Sequence, residues 1–256
     1  LQCEVKVIEG QEKAMILIKK FPAPSDLETL KKEAEEQGLS DKDGYAKLRN
    51  PLKTKVRNLL MQEQGHLCAY CMRRIPDIRI LEEDVDLSDV YIEHWQARSA
   101  VGDTTENKGL DYRNMLAVCS GNEKAPEANG KHKRRFLTCD KKRENAPLKI
   151  NPLDEETLET IYYLTDGTMK STDVVIDEDI NIRLNLNCDT DAVTLLKNRK
   201  AVLDVIQKDL ANQEGDFQQN CIEQLHIWEN EADPKTPYIG IAIWWLKKQI
   251  HLLNAD

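Results

Sequence analysis

Four cysteines place the strongest constraint on what this 256-residue chain can fold into. Cys68 and Cys71 form a Cys-x-x-Cys turn, and Cys119 and Cys139 follow it further along the chain. A Cys-x-x-Cys turn offers two thiolates at a spacing that zinc accepts, and two further thiolates complete a tetrahedral structural site. The pattern therefore predicts one structural zinc ion bound by these four residues.

Two alternatives to this ligand set remain open. Cys119 ends the apolar run 115–118, so its thiol could pack in a buried strand as a small apolar side chain. His66 and His132 could each replace one thiol, because imidazole is also a common zinc ligand. The other cysteines are interpreted as incidental: Cys3, Cys188 and Cys221.

Composition favours a polar-surfaced, mostly helical α+β protein, since 32% of the residues are charged and 40% are hydrophobic. The first twenty residues carry Glu4, Glu9 and Glu12 without a long apolar core, so they do not resemble a secretory signal. No apolar run approaches the length of a membrane span. We expect a soluble cytoplasmic protein, where clustered cysteines bind metal more often than they form disulfides.

Helix and turn signals divide the chain into three predicted ranges. Range 1–65 is an extended, partly strand-like lead (1–25) followed by two helices. The first helix runs from Ser25 or Asp26 to about Gln37, and the second runs from Tyr45 or Leu52 to Gln64. Range 66–150 is a metal module, and range 151–256 contains a hairpin at 161–169 with an Asp-Gly turn. Helices are predicted at 191–212, 217–231 and 239–253.

An adjacent carboxylate and imidazole, Glu93 and His94, suggest acid–base chemistry on a phosphate. Phosphodiester hydrolysis needs a base that deprotonates water, and a histidine can serve as that base. It also needs a cation that neutralises charge on the phosphate and on the leaving oxygen. Adjacent residues point to opposite faces of a strand. A bend at the end of the strand would let both side chains approach one phosphate.

Asn114 and Asp140 complete the candidate catalytic group. Asn114 follows a polar, glycine-containing loop, and its amide could hold the loop backbone and orient the imidazole, although it could also be a simple turn residue. Asp140 directly follows Cys139, so zinc binding would hold its carboxylate in place; its alternative role is a helix N-cap. Hard oxygen ligands from Glu93 and Asp140 indicate Mg²⁺ or Mn²⁺ at the catalytic position.

A basic run at 131–143 overlaps these elements, with seven Lys or Arg residues and one acid in a chain of net charge −9. Such a run is often only a solvated surface, but here it adjoins Cys139 and Asp140. Basic side chains of this kind contact phosphates without reading bases. The candidate nucleic-acid contacts are Lys133, Arg134, Arg135, Lys141, Lys142 and Arg143.

Together these motifs resemble the HNH (ββα-metal) endonucleases, and in particular the retron- and Septu-associated, PtuB-like family. The segments that carry the resemblance are 64–71 (Gln-Gly-His-Leu-Cys-Ala-Tyr-Cys), 92–95 (Ile-Glu-His-Trp), 112–116 (Tyr-Arg-Asn-Met-Leu), Cys119 and 139–140 (Cys-Asp). The resemblance implies a ββα-metal module between helical regions, with His94 as general base and Asn114 orienting the loop. It also implies that Glu93 and Asp140 bind the catalytic metal and that the four cysteines bind zinc.

The same resemblance implies a role in bacterial anti-phage defence, with an ABC/SMC-type (PtuA-like) ATPase as partner. An acidic chain with one basic patch should bind DNA weakly at physiological salt. Recruitment by another subunit would raise its effective concentration at the target. The apolar segment 238–246 is either part of the core or an anchor for such an interface.

Two classes of function are therefore compared. The first is a metal-dependent DNA endonuclease within a defence complex. The second is a zinc-stabilised nucleic-acid-binding or protein-binding adaptor whose HNH residues no longer cut. The simultaneous presence of His94, Asn114 and carboxylates at Glu93 and Asp140 favours the endonuclease, because a degenerate module would be expected to lose some of them.

Overall fold

A computed structural model describes residues 14–76, 89–98, 107–125, 133–190 and 193–254. Over these residues the fold belongs to the expected α+β class, with nine α-helices and two small antiparallel sheets. The helices are α1 (Ser25–Glu36), α2 (Asp41–Lys47), α3 (Leu52–Glu63), α4 (Cys139–Arg143), α5 (Glu155–Glu159), α6 (Val174–Glu178), α7 (Leu195–Ala211), α8 (Phe217–Glu229) and α9 (Ile239–Asn254). The strands are β1 (Tyr91–His94), β2 (Met115–Val118), β3 (Ile161–Tyr163) and β4 (Met169–Ser171).

The first predicted helix is confirmed as α1. It buries Leu27 and Ala34, and it ends before Gly38, which has a φ of +62°. The predicted extended, partly strand-like lead (1–25) forms neither helix nor strand over residues 14–24. There the amide of Ile18 donates to the carbonyl of Pro152, which lies in a loop (2.9 Å). Residues 1–13 lie outside the described part of the chain.

The second predicted helix begins at the later of its two candidate starts. Leu52 opens α3, which packs Val56 and Leu60 into the core. Tyr45 lies instead on a separate short helix, α2, whose first turn is capped by Ser40. This short helix was not predicted as a separate element, and it carries an aromatic side chain to the candidate site.

The buried side chain of Gln64 joins the end of α3 to the first sheet. Its Nε2 donates to the carbonyls of Leu67 and Ala117 (2.8 Å each), and its Oε1 accepts from the Ala117 amide (2.8 Å). Ala117 belongs to β2, which pairs antiparallel with β1 so that His94 lies opposite Met115. Gln64 therefore holds the Cys-x-x-Cys segment against the strand pair.

The later part of the chain follows its predicted pattern closely. The hairpin is formed by β3 and β4, and Gly167 adopts a φ of +88° in its turn. Asp166 does not share that conformation and instead accepts a hydrogen bond from the Thr168 amide (2.8 Å). Helices α7, α8 and α9 lie where periodicity predicts them, and residues 191–192 at the expected start of α7 are outside the described residues.

The apolar segment 238–246 is part of the core. It forms the first half of α9, which packs against α7, α8 and β3, and Ile239, Ile241 and Leu246 are fully buried. The same hydrophobic core also includes Leu60 and Leu116, so all three predicted ranges contribute to it. No helix in the described ranges is long and apolar enough to cross a membrane.

Candidate active site and metal centre

Cys68, Cys71, Cys119 and Cys139 are buried together, with their Sγ atoms all within 4.8 Å of one another. The sulfur–sulfur distances are 3.8 Å for Cys71–Cys119, 3.8 Å for Cys119–Cys139 and 3.9 Å for Cys68–Cys139. Zinc–sulfur bonds of about 2.3 Å in a tetrahedron place the sulfurs about 3.8 Å apart. The cluster therefore has the size of a four-thiolate zinc site and could hold such an ion.

Three separate segments deliver these thiols. The Cys-x-x-Cys turn is closed by two main-chain hydrogen bonds. The Cys68 amide donates to the Arg73 carbonyl (2.9 Å), and the Met72 amide donates to the Cys68 carbonyl (3.0 Å). Cys119 directly follows β2. Cys139 opens α4 with a φ of +52°, and its amide donates to the Leu184 carbonyl (2.8 Å). Closing the cluster therefore fixes α4 beside the strand pair.

The charge of the cluster is partly balanced by Arg73. Burial opposes a charge on Cys71, but hydrogen bonds from Cys119, Cys139 and Cys68 hold the pKa of the Cys71 thiol well below its usual range. Burial would likewise lower the pKa of Arg73, but the Cys71 and Cys119 sulfurs raise it above its ordinary value. The cation stabilises the ionised form of Cys71, which is the form that binds metal. For Cys119 the hydrogen bond with Cys139 lowers the thiol pKa, but those with Cys68 and Cys71 raise it well above its usual range; for Cys139 the hydrogen bonds with Cys119, Cys68 and Cys71 all raise the thiol pKa.

The alternatives for the ligand set can now be compared. Cys119 lies within the cluster instead of packing away from it, and among the described residues no other group of three potential ligands is this close. His66 is not in the group, and His132 lies outside the described residues. Cys188 and Cys221 are buried but lie outside the cluster, and Cys3 falls in the part of the chain that is not described.

Glu93 and Asp140 form a pair of neighbouring carboxylates. Glu93 is buried, and its Oε1 accepts hydrogen bonds from Arg143 and from the hydroxyl of Tyr70 (3.3 Å). Burial raises the pKa of Glu93 to about 8, and the Asp140 carboxylate adds to the shift while Arg143 opposes it. Two acids that share one site in this way can ligate a divalent cation through hard oxygen atoms.

Asp140 does not cap α4, because Thr138 occupies the N-cap position and Asp140 lies in the first turn. The helix presents Asp140 to Glu93 one residue after the buried Cys139. The position of its carboxylate therefore depends on the thiol cluster.

Arg143 requires a correction. It was predicted to contact nucleic acid from the basic run, but it is only 3% exposed. Besides Glu93, its guanidinium donates to the main-chain carbonyls of His94 (3.1 Å), Trp95 (2.5 Å) and Ala146 (2.8 Å). Residues four apart share a helix face, so the buried Cys139 carries Arg143 inward. Arg143 therefore supports the interior of the site.

His94 is buried, and its ring has a defined orientation. Its Nε2 lies 2.9 Å from the Gly109 carbonyl oxygen, which can only accept, so Nε2 carries the hydrogen. Burial lowers the pKa of His94 to about 4; the Gly109 bond opposes this shift, whereas Arg98 and Arg143 add to it. The imidazole is therefore neutral near pH 7, and Nδ1 retains a lone pair that can accept a proton.

Tyr45 packs edge-on against this imidazole, with ring centroids 4.8 Å apart and an interplanar angle of 89°. Burial raises the pKa of the Tyr45 hydroxyl, two arginines lower it, and Asp140 raises it. Asp140 is therefore within electrostatic reach of the ring that contacts His94.

Asn114 holds both ends of the loop that separates the strands. Its Oδ1 accepts from the Gln96 amide (2.7 Å), and its Nδ2 donates to the carbonyls of Gln96 (3.0 Å) and Lys108 (3.1 Å). The returning end also binds the N-terminal helices, because the Lys108 amide donates to Asp41 (2.8 Å). These contacts fix the position of Gly109, and hence of the oxygen that orients His94.

The remaining basic candidates lie around α4, and acids partly neutralise them. Lys133, Arg134 and Arg135 form an exposed 3-10 turn. Arg134 pairs with Glu144 (3.1 Å), and Lys141 pairs with Glu123 (3.0 Å). Lys142 donates to the Arg134 carbonyl (2.9 Å).

The sequence analysis missed the contributions of Tyr45, Tyr70 and Gly109. Tyr70 lies inside the Cys-x-x-Cys turn, so its closeness to the metal cluster was readable, but its bond to Glu93 was not. Gly109 has a steric reason to be glycine, because a Cβ there would overlap the main-chain oxygen of Asp41. Nothing local in the sequence signals that Tyr45 reaches His94, since that contact depends on how α2 packs.

Comparison with known proteins does not place this chain in a family. No family model matches it, and no curated protein shows a significant match. Its function is therefore inferred from the residues and geometry described above.

Proposed function

We propose that this protein is a metal-dependent HNH-type endonuclease that hydrolyses DNA phosphodiester bonds, with His94 as the general base. The observation that carries the proposal is the position of His94. Its neutral ring is held by the Gly109 carbonyl. It directly follows Glu93 in the chain, and the Glu93 carboxyl group interacts with Asp140 on α4. In this proposal β1, β2 and α4 are the ββα-metal module.

His94 supplies the proton acceptor. Because Nε2 donates to Gly109, the free lone pair is on Nδ1, which can take a proton from a water that attacks phosphorus. The Gly109 oxygen then stabilises the imidazolium that forms. Asn114 acts indirectly, because its amide holds the loop that carries this oxygen.

Glu93 and Asp140 fit a catalytic Mg²⁺ or Mn²⁺ ion. Such ions are commonly held by one or two carboxylates, with waters and substrate phosphates completing the shell. When bound, the cation would stabilise charge on the phosphate and on the leaving oxygen. Tyr70 and Arg143 both bond to Oε1 of Glu93, and so they fix the orientation of its carboxylate.

The thiol cluster has a structural role in this proposal. Four thiolates leave zinc without an open position for water or substrate, so the ion would stabilise the fold and take no part in catalysis. Its effect on catalysis would be positional, because Cys139 is a zinc ligand and the next residue is Asp140. Zinc therefore holds the second carboxylate against the first.

DNA positioning and recruitment complete the proposal. Lys133, Arg134, Arg135, Lys141 and Lys142 are proposed to contact phosphates. The net charge of −9 and the ion pairs of Arg134 and Lys141 both weaken unaided DNA binding. We therefore propose that the chain is the nuclease of a bacterial anti-phage complex, delivered to DNA by an ABC/SMC-type (PtuA-like) ATPase.

One contact favours the second candidate function, a zinc-stabilised adaptor that does not cut. Arg143 already neutralises Glu93 without any metal, so the carboxylate pair has one counter-charge built into the protein. An adaptor would need the zinc cluster and the basic surface but no activity at His94.

One experiment distinguishes the endonuclease from the adaptor. Metal analysis should find one zinc per chain, and the purified protein should nick supercoiled plasmid in Mg²⁺ or Mn²⁺, faster when the ATPase co-purifies. A protein with full zinc content that leaves plasmid intact in both metals, with and without the ATPase, would support the adaptor and contradict the endonuclease.

A further inference from the structure

Two basic side chains contact the Tyr45 ring, Lys53 and Arg98, and Arg49 and Arg57 lie near Lys53. We call Arg49, Lys53, Arg57 and Arg98 the α3 cation group. Lys53 Nζ lies 5.2 Å from the centroid of the Tyr45 ring, and the Arg98 guanidinium carbon lies 4.3 Å from it. The same ring contacts His94 at 4.8 Å. The group is therefore next to the proposed general base.

Lys53 and Arg57 are spaced four apart on α3, so they share a helix face. Arg49 precedes the helix, before the cis peptide bond between Asn50 and Pro51, and its carbonyl accepts from the Lys53 amide (2.9 Å). Four residues advance a helix by about 6 Å, so Lys53 and Arg57 can contact neighbouring phosphates of one strand.

These cations lack acidic partners. Within the described ranges, none of the four pairs with a carboxylate, whereas Arg134, Lys141 and Arg143 of the basic run each do. In the same part of the chain, the Nε of Arg57 has no hydrogen-bond partner, but the same holds for the Nε of Arg73 and the Nη1 of Arg74 outside the group. The missing counter-charge, and not this atom, is therefore the observation that favours an anionic ligand.

Repulsion between the positive charges of the α3 cation group also favours binding of an anionic ligand. Burial lowers the pKa of Lys53, and the nearby Arg57, Arg49 and Arg98 lower it further. Like charges held together without a counter-ion raise the free energy of the protein alone, and an anionic ligand would relieve that cost. The Tyr45 ring keeps two of the cations in place through cation–π contacts.

We propose that the α3 cation group binds the phosphodiester backbone of the nucleic-acid strand and places it against His94. This inference rests on the proposed function for the identity of the substrate, but it concerns binding alone. It assigns substrate positioning to α3 and to Arg98, at the entrance beside Tyr45. The exposed turn at Lys133–Arg135 becomes a secondary contact.

Binding can be measured without cleavage. Fluorescence anisotropy of a labelled duplex DNA, with Ca²⁺ replacing Mg²⁺ and Mn²⁺, gives Kd over a series of salt concentrations. The double variant Lys53→Gln/Arg57→Gln should weaken binding at least about tenfold and reduce the salt slope by about two. Lys55→Gln is the matched control, because Lys55 is exposed on the same helix and pairs with Asp26 (3.3 Å). Its Kd should stay within about twofold of the parent.

A second variant distinguishes a loss of binding from a loss of folding. Arg49 is exposed, so Arg49→Gln should keep the parent's zinc content and melting temperature while reducing the salt slope by about one. A duplex RNA of the same sequence forms a parallel arm, and selective loss of binding to either duplex supports the proposal. Unchanged Kd and slope in both variants, or no binding of either duplex by the parent, would overturn it.

The binding experiment and the nicking experiment can fail independently of each other. If the parent binds duplex and the cation variants do not, the α3 group is the binding site even when no preparation cuts plasmid. If plasmid is cut at the parent's rate by the cation variants, the endonuclease proposal stands and the α3 assignment fails.

Discussion

His94 and Gly109 are joined by a hydrogen bond of 2.9 Å between the imidazole Nε2 and a main-chain carbonyl oxygen. The contact spans the loop between β1 and β2, and it decides which ring nitrogen is free to accept a proton. Because the acceptor is main chain, no side-chain substitution removes it directly. Its position depends instead on how the loop is held.

The packing of Gly109 offers one way to displace that oxygen. In Gly109→Ala the new Cβ would overlap the Asp41 carbonyl oxygen, and main chain on both sides cannot move away cheaply. We expect plasmid nicking to fall at least about tenfold while zinc content stays at one per chain. Gly38→Ala is the control, because no atom lies near the Cβ position of Gly38; its φ of +62° adds backbone strain that Gly109→Ala does not have. Equal loss of activity in both variants would remove the special role of Gly109.

Substitution of Asn114 is a second way to displace the Gly109 carbonyl oxygen. Asn114→Ala deletes three hydrogen bonds to the loop ends, each contributing about 1 kcal/mol, so the melting temperature should fall by several degrees. The nicking rate should fall further than stability alone explains, because the loop no longer fixes the Gly109 carbonyl. Asn114→Asp keeps the acceptor for Gln96 and loses both donors, and it should resemble the alanine variant. A variant with the parent's rate and melting temperature would show that the loop is held elsewhere.

The buried contact between Arg143 and Glu93 predicts that the stability of the protein depends on both side chains together. Arg143→Ala removes the donor that bonds to Glu93 and to the carbonyls of His94, Trp95 and Ala146, and it should destabilise the protein by about 3–5 kcal/mol. Burial already raises the pKa of Glu93 to about 8, so without Arg143 this carboxyl should be protonated at pH 7, and adding Glu93→Gln should cost little more stability. Urea unfolding of the four proteins in this cycle gives the coupling energy. Strictly additive effects would contradict a direct interaction between the two side chains.

The zinc ligands can be tested with a matched pair of cysteine variants. Cys68→Ser should lose zinc and melt early or aggregate, because metal binding contributes directly to the stability of such a site. Cys188→Ser should keep zinc, because Cys188 is buried outside the cluster. Metal analysis and thermal unfolding provide both readouts. Intact zinc stoichiometry in Cys68→Ser would remove that residue from the ligand set.

Much of the architecture follows from local sequence signals. Gly38 marks the end of α1, although its predicted cap at Ser25 or Asp26 is replaced by Pro24. Apolar periodicity and a following Gly or Asn identify α3 and α7 within a few residues, and an Asp-Gly turn identifies the hairpin of β3 and β4. The Cys-x-x-Cys turn likewise predicts half of the thiol cluster. These signals suffice because capping, turn geometry and a helix face depend on neighbours in the chain.

The rest depends on contacts between distant segments. Arg143 looks like part of an exposed basic run, and only the burial of Cys139 one helical turn earlier shows that it points inward. The four-residue spacing of Arg49, Lys53 and Arg57 is visible in the sequence. Their proximity to Arg98 is not, because it depends on how α3 packs against β2, the strand paired with β1. Whether a charged side chain is buried or paired depends on the packed protein, so it cannot be predicted from the composition of the surrounding sequence.

The most direct test is plasmid nicking by His94→Ala, measured in Mg²⁺ and Mn²⁺ together with zinc content. Loss of a general base costs about 10²–10⁴-fold in rate, so nicking should fall to background while zinc remains at one per chain. A zinc-loaded His94→Ala variant that cuts as fast as the parent would contradict the assignment of His94 and the account of the site built on it.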